Sequence, residues 1–353
     1  MSESFHQFNH PRRDRRCRGI GFVLLLLVAA GCVPKSESDV VVYSALDEQF
    51  AAPIFAAYER GVDHETGVVA KFDVESTKTV GLVNQIIAEQ NSPVCDLFWN
   101  NEIMHTVRLQ KLGLLKPRRW SVAAGWPTDM IASDGSWCGF AARGRVLLVN
   151  TEKIKSKDDY PTSVRDLADP QWKDNCALAR PLFGTTATHF AVLRANDGHD
   201  ETLELLKQIQ QNAVVLSGNK QVALAVAAGE LAWGLTDTDD AIIERDRLRN
   251  VAIVFPDQQP DQPGTLRIPN TIAVLKAAPH PVAAEALADY LVSAKTEDRL
   301  AMGDSSQLPV SRHSDYKPRV MPSYPVRWMK VDFEAAAEGW EQWAKEVMEI
   351  FPD

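Results

Sequence analysis

The chain has 353 residues, long enough for two domains, and a formal charge of −9 at pH 7. An acidic balance argues against binding nucleic acid or other polyanions. Hydrophobic residues make up 45% of the chain, which excludes a disordered protein and suits an ordinary globular one.

Arg12, Arg13, Arg15, Arg16 and Arg18 form a basic stretch, and residues 19–31 carry no charge. That run is shorter than the about 20 residues a membrane-spanning helix needs, and it suits the apolar core of a secretory signal. It ends in Ala29-Ala30-Gly31-Cys32, small residues before a cysteine, which is similar to the bacterial lipobox although Ala29 stands where leucine is usual. The expectation is a signal peptide over residues 1–31, a lipid anchor on Cys32 and a polar tether over residues 32–39. This makes the protein exported, periplasmic and held at a membrane. Beyond Cys32 stand Cys95, Cys138 and Cys176. An odd number leaves at least one free thiol, and no CxxC spacing suggests a metal.

Residues 39–44 read as a buried strand, and residues 45–59 as a helix with Phe50, Ile54, Phe55 and Tyr58 on one face. Residues 68–75 read as a second strand, 80–90 as a second helix and 94–99 as a third strand, with a helix starting again at Asn100. Strand and helix alternating three times is the pattern of a largely parallel sheet. Ligands gather at the carboxyl ends of such strands, where helix N-termini also point. Three loops qualify: Tyr43-Ser44, Ser76-Thr77-Lys78 and Asn100-Asn101-Glu102.

Residues 137–150 form one long strand-like stretch, polar at its centre, suited to crossing between domains with Arg143 and Arg145 at the crossing. Residues 181–188 read as a Gly/Thr loop ahead of a helix over 189–195. Thr185 and Thr186 there either cap the helix or hold an anion. His189 follows that loop. Residues 231–235 read as a strand running into a polar turn with Asp237, Asp239 and Asp240, and a helix opens at Ala241. Three carboxylates at such a junction either cap the helix and complement its dipole or ligate a hard cation. Residues 265–275 read as a second crossover strand, kinked at Pro269, and residues 333–350 as a closing helix. HExxH, GxSxG, P-loop and GxGxxG motifs are absent from the sequence, so an enzyme is not expected.

Taken in order, the run up to Cys32, Val40-Val-Val-Tyr-Ser44, Asp96-Leu-Phe-Trp-Asn-Asn-Glu102, residues 139–150, Leu167-Ala-Asp-Pro-Gln-Trp-Lys173 and Pro279-His-Pro-Val-Ala-Ala-Glu-Ala286 resemble family 1 extracellular solute-binding proteins of ABC importers. The closer resemblance is to their ferric-ion-binding branch, of the periplasmic binding protein type II fold. It covers essentially the whole chain after Cys32. The resemblance implies an α/β protein of two lobes, each a mixed sheet flanked by helices, joined by crossover strands and closing on ligand by hinge bending. Lobe 1 is expected over residues 40–142, lobe 2 over 143–266, and the return to lobe 1 with a closing helix over 267–353. Also implied are a monomer, no cofactor, no chemistry on the ligand, and delivery to a membrane permease. Ferric-binding members place adjacent tyrosines where this chain has Thr236-Asp-Thr-Asp-Asp240, and no tyrosine occurs between 161 and 289. A tyrosine-based iron site therefore does not transfer. Three positions do match: Tyr43 the first-strand tyrosine at the cleft, Glu102 a carboxylate some members supply, and Arg143 an arginine that holds an anion beside the metal.

Two ligand classes follow. The first expectation is a metal ion of the iron(III) type, with or without an accompanying anion. Asp237, Asp239, Asp240 and Glu102 would supply oxygen ligands, Tyr43 a phenolate, and Arg143 would face the anion. The alternative is a small anionic or polyhydroxylated solute, such as a phosphorylated sugar or organophosphonate. Arg143, Arg145, Thr77, Thr185 and Thr186 would hold its anionic part, and the aspartates would accept its hydroxyl or amine hydrogens.

Overall fold

Val40-Val-Val-Tyr-Ser44 has no polar face, and it becomes a central strand. In the computed structural model, which describes residues 39–61, 66–73, 78–122, 126–248, 250–311 and 316–352, β1 (Val40–Ser44) is buried along its whole length. The expected signal peptide, the lipid anchor at Cys32, nearly all of the tether, and Thr77 lie outside the described residues. β1 runs parallel to both its neighbours, β2 (Val68–Phe72) and β3 (Leu97–Asn100). The helices α1 (Glu48–Gly61), α2 (Lys78–Ala88) and α3 (Met104–Lys111) follow these strands in turn. Parallel strands need such crossovers, and helices packed on the faces explain why β1 is apolar on both sides.

The long crossing strand forms as β4 (Cys138–Asn150), buried at every position. After it come β5 (Cys176–Ala179), α4 (Gly184–Asp197), α5 (His199–Asn212), β6 (Val214–Leu216), α6 (Asn219–Ala227), β7 (Trp233–Asp237), α7 (Thr238–Leu248) and β8 (Val251–Val254). The chain returns through β9 (Arg267–Val274), α8 (Pro281–Leu291) and α9 (Ala294–Met302). The strand order is β2-β1-β3-β9-β4-β7-β5-β6, with β8 also on β4. β4 joins the two lobes because its partners change midway. Gly144 pairs with Arg267 of β9, whereas Arg145 pairs with Asp237 of β7. β5 is parallel to β6 and β7, so the second lobe repeats the parallel arrangement of the first.

The crossing is not a smooth strand. The β4–β9 register shifts between Phe140 and Arg143, and Ala141 has φ +37°, a conformation uncommon for a residue with a Cβ. One buried carboxylate holds this bulge. Glu297 of α9 accepts hydrogen bonds from the backbone N–H of Ala141 at 2.7 Å, Val310 at 2.9 Å and Ser311 at 2.9 Å. Burial pushes the Glu297 carboxyl above the usual range, while the three N–H donors pull it down. Asn270 of β9 adds a side-chain donor to the Ala141 carbonyl and another to Gln307. The bulge thereby ties the outgoing crossing to the segment after α9.

The closing helix expected over 333–350 forms as two, α10 (Phe333–Ala336) and α11 (Trp340–Ile350), because Gly339 at φ +63° breaks the helix between them. They do not simply rejoin lobe 1. Glu334 accepts from Gln110 of α3, while Arg194 of α4 donates to the Ala336 carbonyl and lies 5.4 Å from the Trp343 ring centroid. Trp343 is a buried core residue, as its helical spacing suggests. Cys95, Cys138 and Cys176 are buried free thiols, and burial pushes Cys176 up to about 12.

Glu297→Ala would leave three backbone N–H groups without an acceptor in a dry site, each costing about 1–3 kcal/mol. The expected outcome in urea unfolding is a loss of at least about 3 kcal/mol. A loss below about 1 kcal/mol would show that the bulge does not depend on this carboxylate.

Candidate functional site

The parallel strands of both lobes deliver their carboxyl ends to one cavity of about 200 Å³. Asp47 follows β1, Asp73 follows β2 and Asn101 follows β3; Arg180 follows β5, Asn219 follows β6, and Asp237 ends β7. Helices start at the same places, so unsatisfied N–H groups at the first turns of α4 and α6 face this region.

The aspartates do not sit on a polar turn. β7 extends to Asp237 and α7 begins at Thr238, so strand passes straight into helix. Pairing decides this. Asp237 stands opposite Arg145 across the β4–β7 ladder, and their side chains meet at 2.6 Å. Asp239 and Asp240 then fall in the first turn of α7, where negative charge complements the helix dipole. The Thr loop is shifted likewise. α4 begins at Gly184, so Thr185, Thr186 and His189 lie on the helix itself.

Asp237 is fully engaged. Its Oδ1 accepts from Arg145, and its Oδ2 accepts from Thr185 at 2.6 Å and Asn219 at 3.0 Å. Arg145, completely buried, also donates to Thr185 and Thr186 at 3.0 Å each. Arg143 reaches into the cavity, 3.2 Å from Asp239 and 3.8 Å from Asp237. One oxygen of Asp239, Oδ1, is buried with no hydrogen-bond partner, as is Nε of Arg143. Oxygens of Asp237, Asp239 and Asp240 lie within 4.8 Å of one another. Burial, only partly offset by Arg143, raises Asp239 to about 6. Burial and then repulsion by Asp239 and Asp237 raise Asp240 well above the usual carboxylate range.

Other expected ligands stand elsewhere. Tyr43 is 2% exposed and does not line the cavity; its hydroxyl donates to Glu89 at 3.0 Å. Burial and Glu89 raise its pKa, which disfavours the phenolate an iron ligand requires. Glu102 also lies outside the cavity lining. It accepts from the N–H of Met104 and His105, from Asn100 and from Thr188, so it satisfies first-turn N–H groups of α3 and ties that helix to α4. Arg145 and Thr186 are buried supports behind the cavity wall, and Thr185 is both support and lining. His189 is buried, outside the lining, and held neutral by burial and by Arg145. Arg180, Asn219 and Lys220 line the cavity although the sequence reading did not single them out. The usable signal was position: each follows a short β run.

The raised carboxyls make stability pH-dependent. A folded-state pKa above the unfolded value means the folded chain holds more protons in between, so stability is greatest below the unfolded pKa of about 3.9 and is lost as pH rises through about 6 and beyond. Asp240→Asn should raise the thermal midpoint of the ligand-free protein at pH 8 and flatten its decline above pH 5. Parallel midpoint-versus-pH curves for the two proteins would refute the assignment.

Comparison with known proteins agrees with this architecture. The family described as bacterial extracellular solute-binding protein matches residues 96–335. The Fe(3+)-binding periplasmic protein of Serratia marcescens is 23% identical over 312 residues, covering 87% of this chain and 89% of the relative. Iron-bound HitA from Pseudomonas aeruginosa shares the fold with a TM-score of 0.76 at 21% identity, over 88% of this chain and 99% of that one. So does the periplasmic binding protein AfuA from Actinobacillus pleuropneumoniae, solved with exogenous fructose-6-phosphate, with a TM-score of 0.75 at 18% identity over 89% and 98%. With its two lobes, its two crossings and a cavity where the parallel strands of both lobes end, the chain has the periplasmic binding protein type II fold and belongs to the bacterial extracellular solute-binding proteins.

Proposed function

We propose that this protein is the ligand-capturing component of an ABC importer, and that its cleft takes a hard cation of the iron(III) type together with an anion. In this reading residues 1–31 direct export and Cys32 carries a lipid anchor. Lobe 1 (40–142 and 267–353) and lobe 2 (143–266) close over the ligand, and a membrane permease receives it from a monomer. The observation that carries the reading is the group of Asp237, Asp239 and Asp240, with carboxylate oxygens within 4.8 Å of one another and two of the three carboxyls raised by their surroundings. A cation would discharge that repulsion, and carboxylates are the ligands hard cations prefer. The ferric-binding name of the Serratia relative points the same way. Asp237 is already paired, and among the described residues no tyrosine lines the cavity, so an accompanying anion would add ligands to Asp239 and Asp240. Arg143, Arg180 and Lys220 in the same wall suit an anion that completes the set.

A second reading is an anionic, polyhydroxylated solute without metal. The committed oxygens of Asp237 favour it, as does the sugar phosphate bound by AfuA.

Thermal unfolding separates the two. Ferric ion with phosphate should raise the midpoint of the purified protein, by an amount equivalent to about 2.7 kcal/mol at a hundredfold excess over Kd. Asp239→Ala should abolish that shift. A shift produced instead by fructose 6-phosphate alone, and lost in Arg143→Ala, would replace the metal reading with the second.

A further inference from the structure

The end of lobe 1 opposite the ligand cavity is organised around one buried carboxylate. Asp96, just ahead of β3, accepts from the Val41 N–H of β1 at 2.8 Å and from the His280 N–H at the start of α8 at 2.6 Å. Nδ1 of His280 lies 2.9 Å from the same carboxylate. The start of β1, the approach to β3 and the start of α8 therefore meet here. The other ends of β1 and β3 lead to Asp47 and Asn101 in the ligand cavity.

This end is apolar where it meets water. Val94 is 42% exposed, Leu112 53% and Val282 82%. Val94 stands two residues before Asp96, Val282 two residues after His280, and Leu112 closes α3. Val94 also lines a groove of about 390 Å³ with Ile86, Pro93, Leu114 and Leu275, and Gly113, next to Leu112, is part of the same wall. Backbone bonds hold its shape: the Leu275 N–H donates to the Asp96 carbonyl at 2.9 Å and the Lys276 N–H to the Leu114 carbonyl at 2.8 Å. Glu89 in the wall accepts from the Tyr43 hydroxyl. Lys276, at the groove, and Lys111, beside Leu112, are exposed, and neither forms an ion pair with a described residue. Single exposed apolar residues need no explanation, but three around one groove mark a contact surface.

We propose that this face of lobe 1 rests on the lipid bilayer, with Val94, Leu112 and Val282 at the acyl boundary and Lys111 and Lys276 among the headgroups. The proposal rests on reading Cys32 as the lipid anchor. Residues 32–39 reach at most about 28 Å when fully extended. Asp39 is fixed to lobe 1, where its Oδ1 accepts from the Gly67 N–H at 3.1 Å and Val40 opens β1. The tether thus joins the body at the end of β1 that lies beside Asp96 and the groove. An acylated Cys32 keeps that end next to the bilayer, where apolar side chains flanked by lysines are favoured. The ligand cavity, at the opposite ends of the same strands, stands clear of the lipid.

The full-length exported protein, reconstituted in vesicles of phosphatidylethanolamine and phosphatidylglycerol, tests this. An environment-sensitive fluorophore is attached through Val282→Cys or, as a reference in lobe 2, through Leu248→Cys, which is 53% exposed. Cys95, Cys138 and Cys176 are buried and do not compete for the label. Spin-labelled lipid should quench the probe at 282 at least about threefold more than the probe at 248. Val94→Glu combined with Leu112→Glu, both at exposed positions, should remove that difference while the protein stays with the vesicles and keeps its thermal midpoint. Equal quenching at the two positions in acylated protein, or a difference untouched by the double substitution, overturns the membrane face while the anchor stands. A probe at 282 that is shielded from water but not quenched by lipid assigns the face to a second copy of the chain and overturns it as well. An unmodified Cys32 in the mass of the N-terminal peptide overturns the anchor and the membrane face together.

Discussion

The ion pair between Arg145 and Asp237 is the constraint on which the rest of the site depends. The two residues face each other across the ladder that begins the second lobe, buried and 2.6 Å apart. A charge buried there without its partner costs about 3–5 kcal/mol, so the register of β7 on β4 is tied to the crossing itself. A slip of β7 by one residue would turn Asp237 to the face opposite Arg145. Thr185, Thr186 and Asn219 complete the network from the starts of α4 and α6, which fixes three segments of lobe 2 around one carboxylate.

What faces the cavity follows from that arrangement. With Asp237 neutralised from behind, Arg143 is left for Asp239, and Asp240 forms no ion pair with a described residue. The protein thus keeps an acidic excess at a point reached from both lobes. Such sites cost stability in the empty state and recover it when a cation binds. Arg143 owes its place to the bulge two residues before it, and Glu297 holds that bulge from α9. The bulge in the crossing and the cavity wall are therefore linked through β4.

The last two helices touch both lobes. α10 and α11 contact α3 of lobe 1 and both α4 and α5 of lobe 2, and Glu102 accepts from Thr188 between the lobes. The lobes are tied together around α3 and α4. The ligand cavity lies where the strand ends meet α1, α6 and α7.

Much of the fold was legible in the chain. Val40-Val-Val-Tyr-Ser44 could only be a strand covered on both faces, and the stretch from 138 to 150, apolar at both ends with two arginines between, could only cross something. Repeated strand-helix alternation was enough to expect strand ends and helix starts in one place, and the chain visibly has no tyrosine from 161 to 289. The sequence could not say which polar residues would be spent on one another. Tyr43, Glu102, Arg145 and Asp237 look like ligands as residue types, and each is consumed by a partner 46, 86, 92 or 92 positions away in the chain. Long-range pairing of that kind follows from strand order and register, which local periodicity does not contain. Only the tertiary structure, by bringing β4 against β7, decided that one aspartate anchors the lobe and the next two face the cleft.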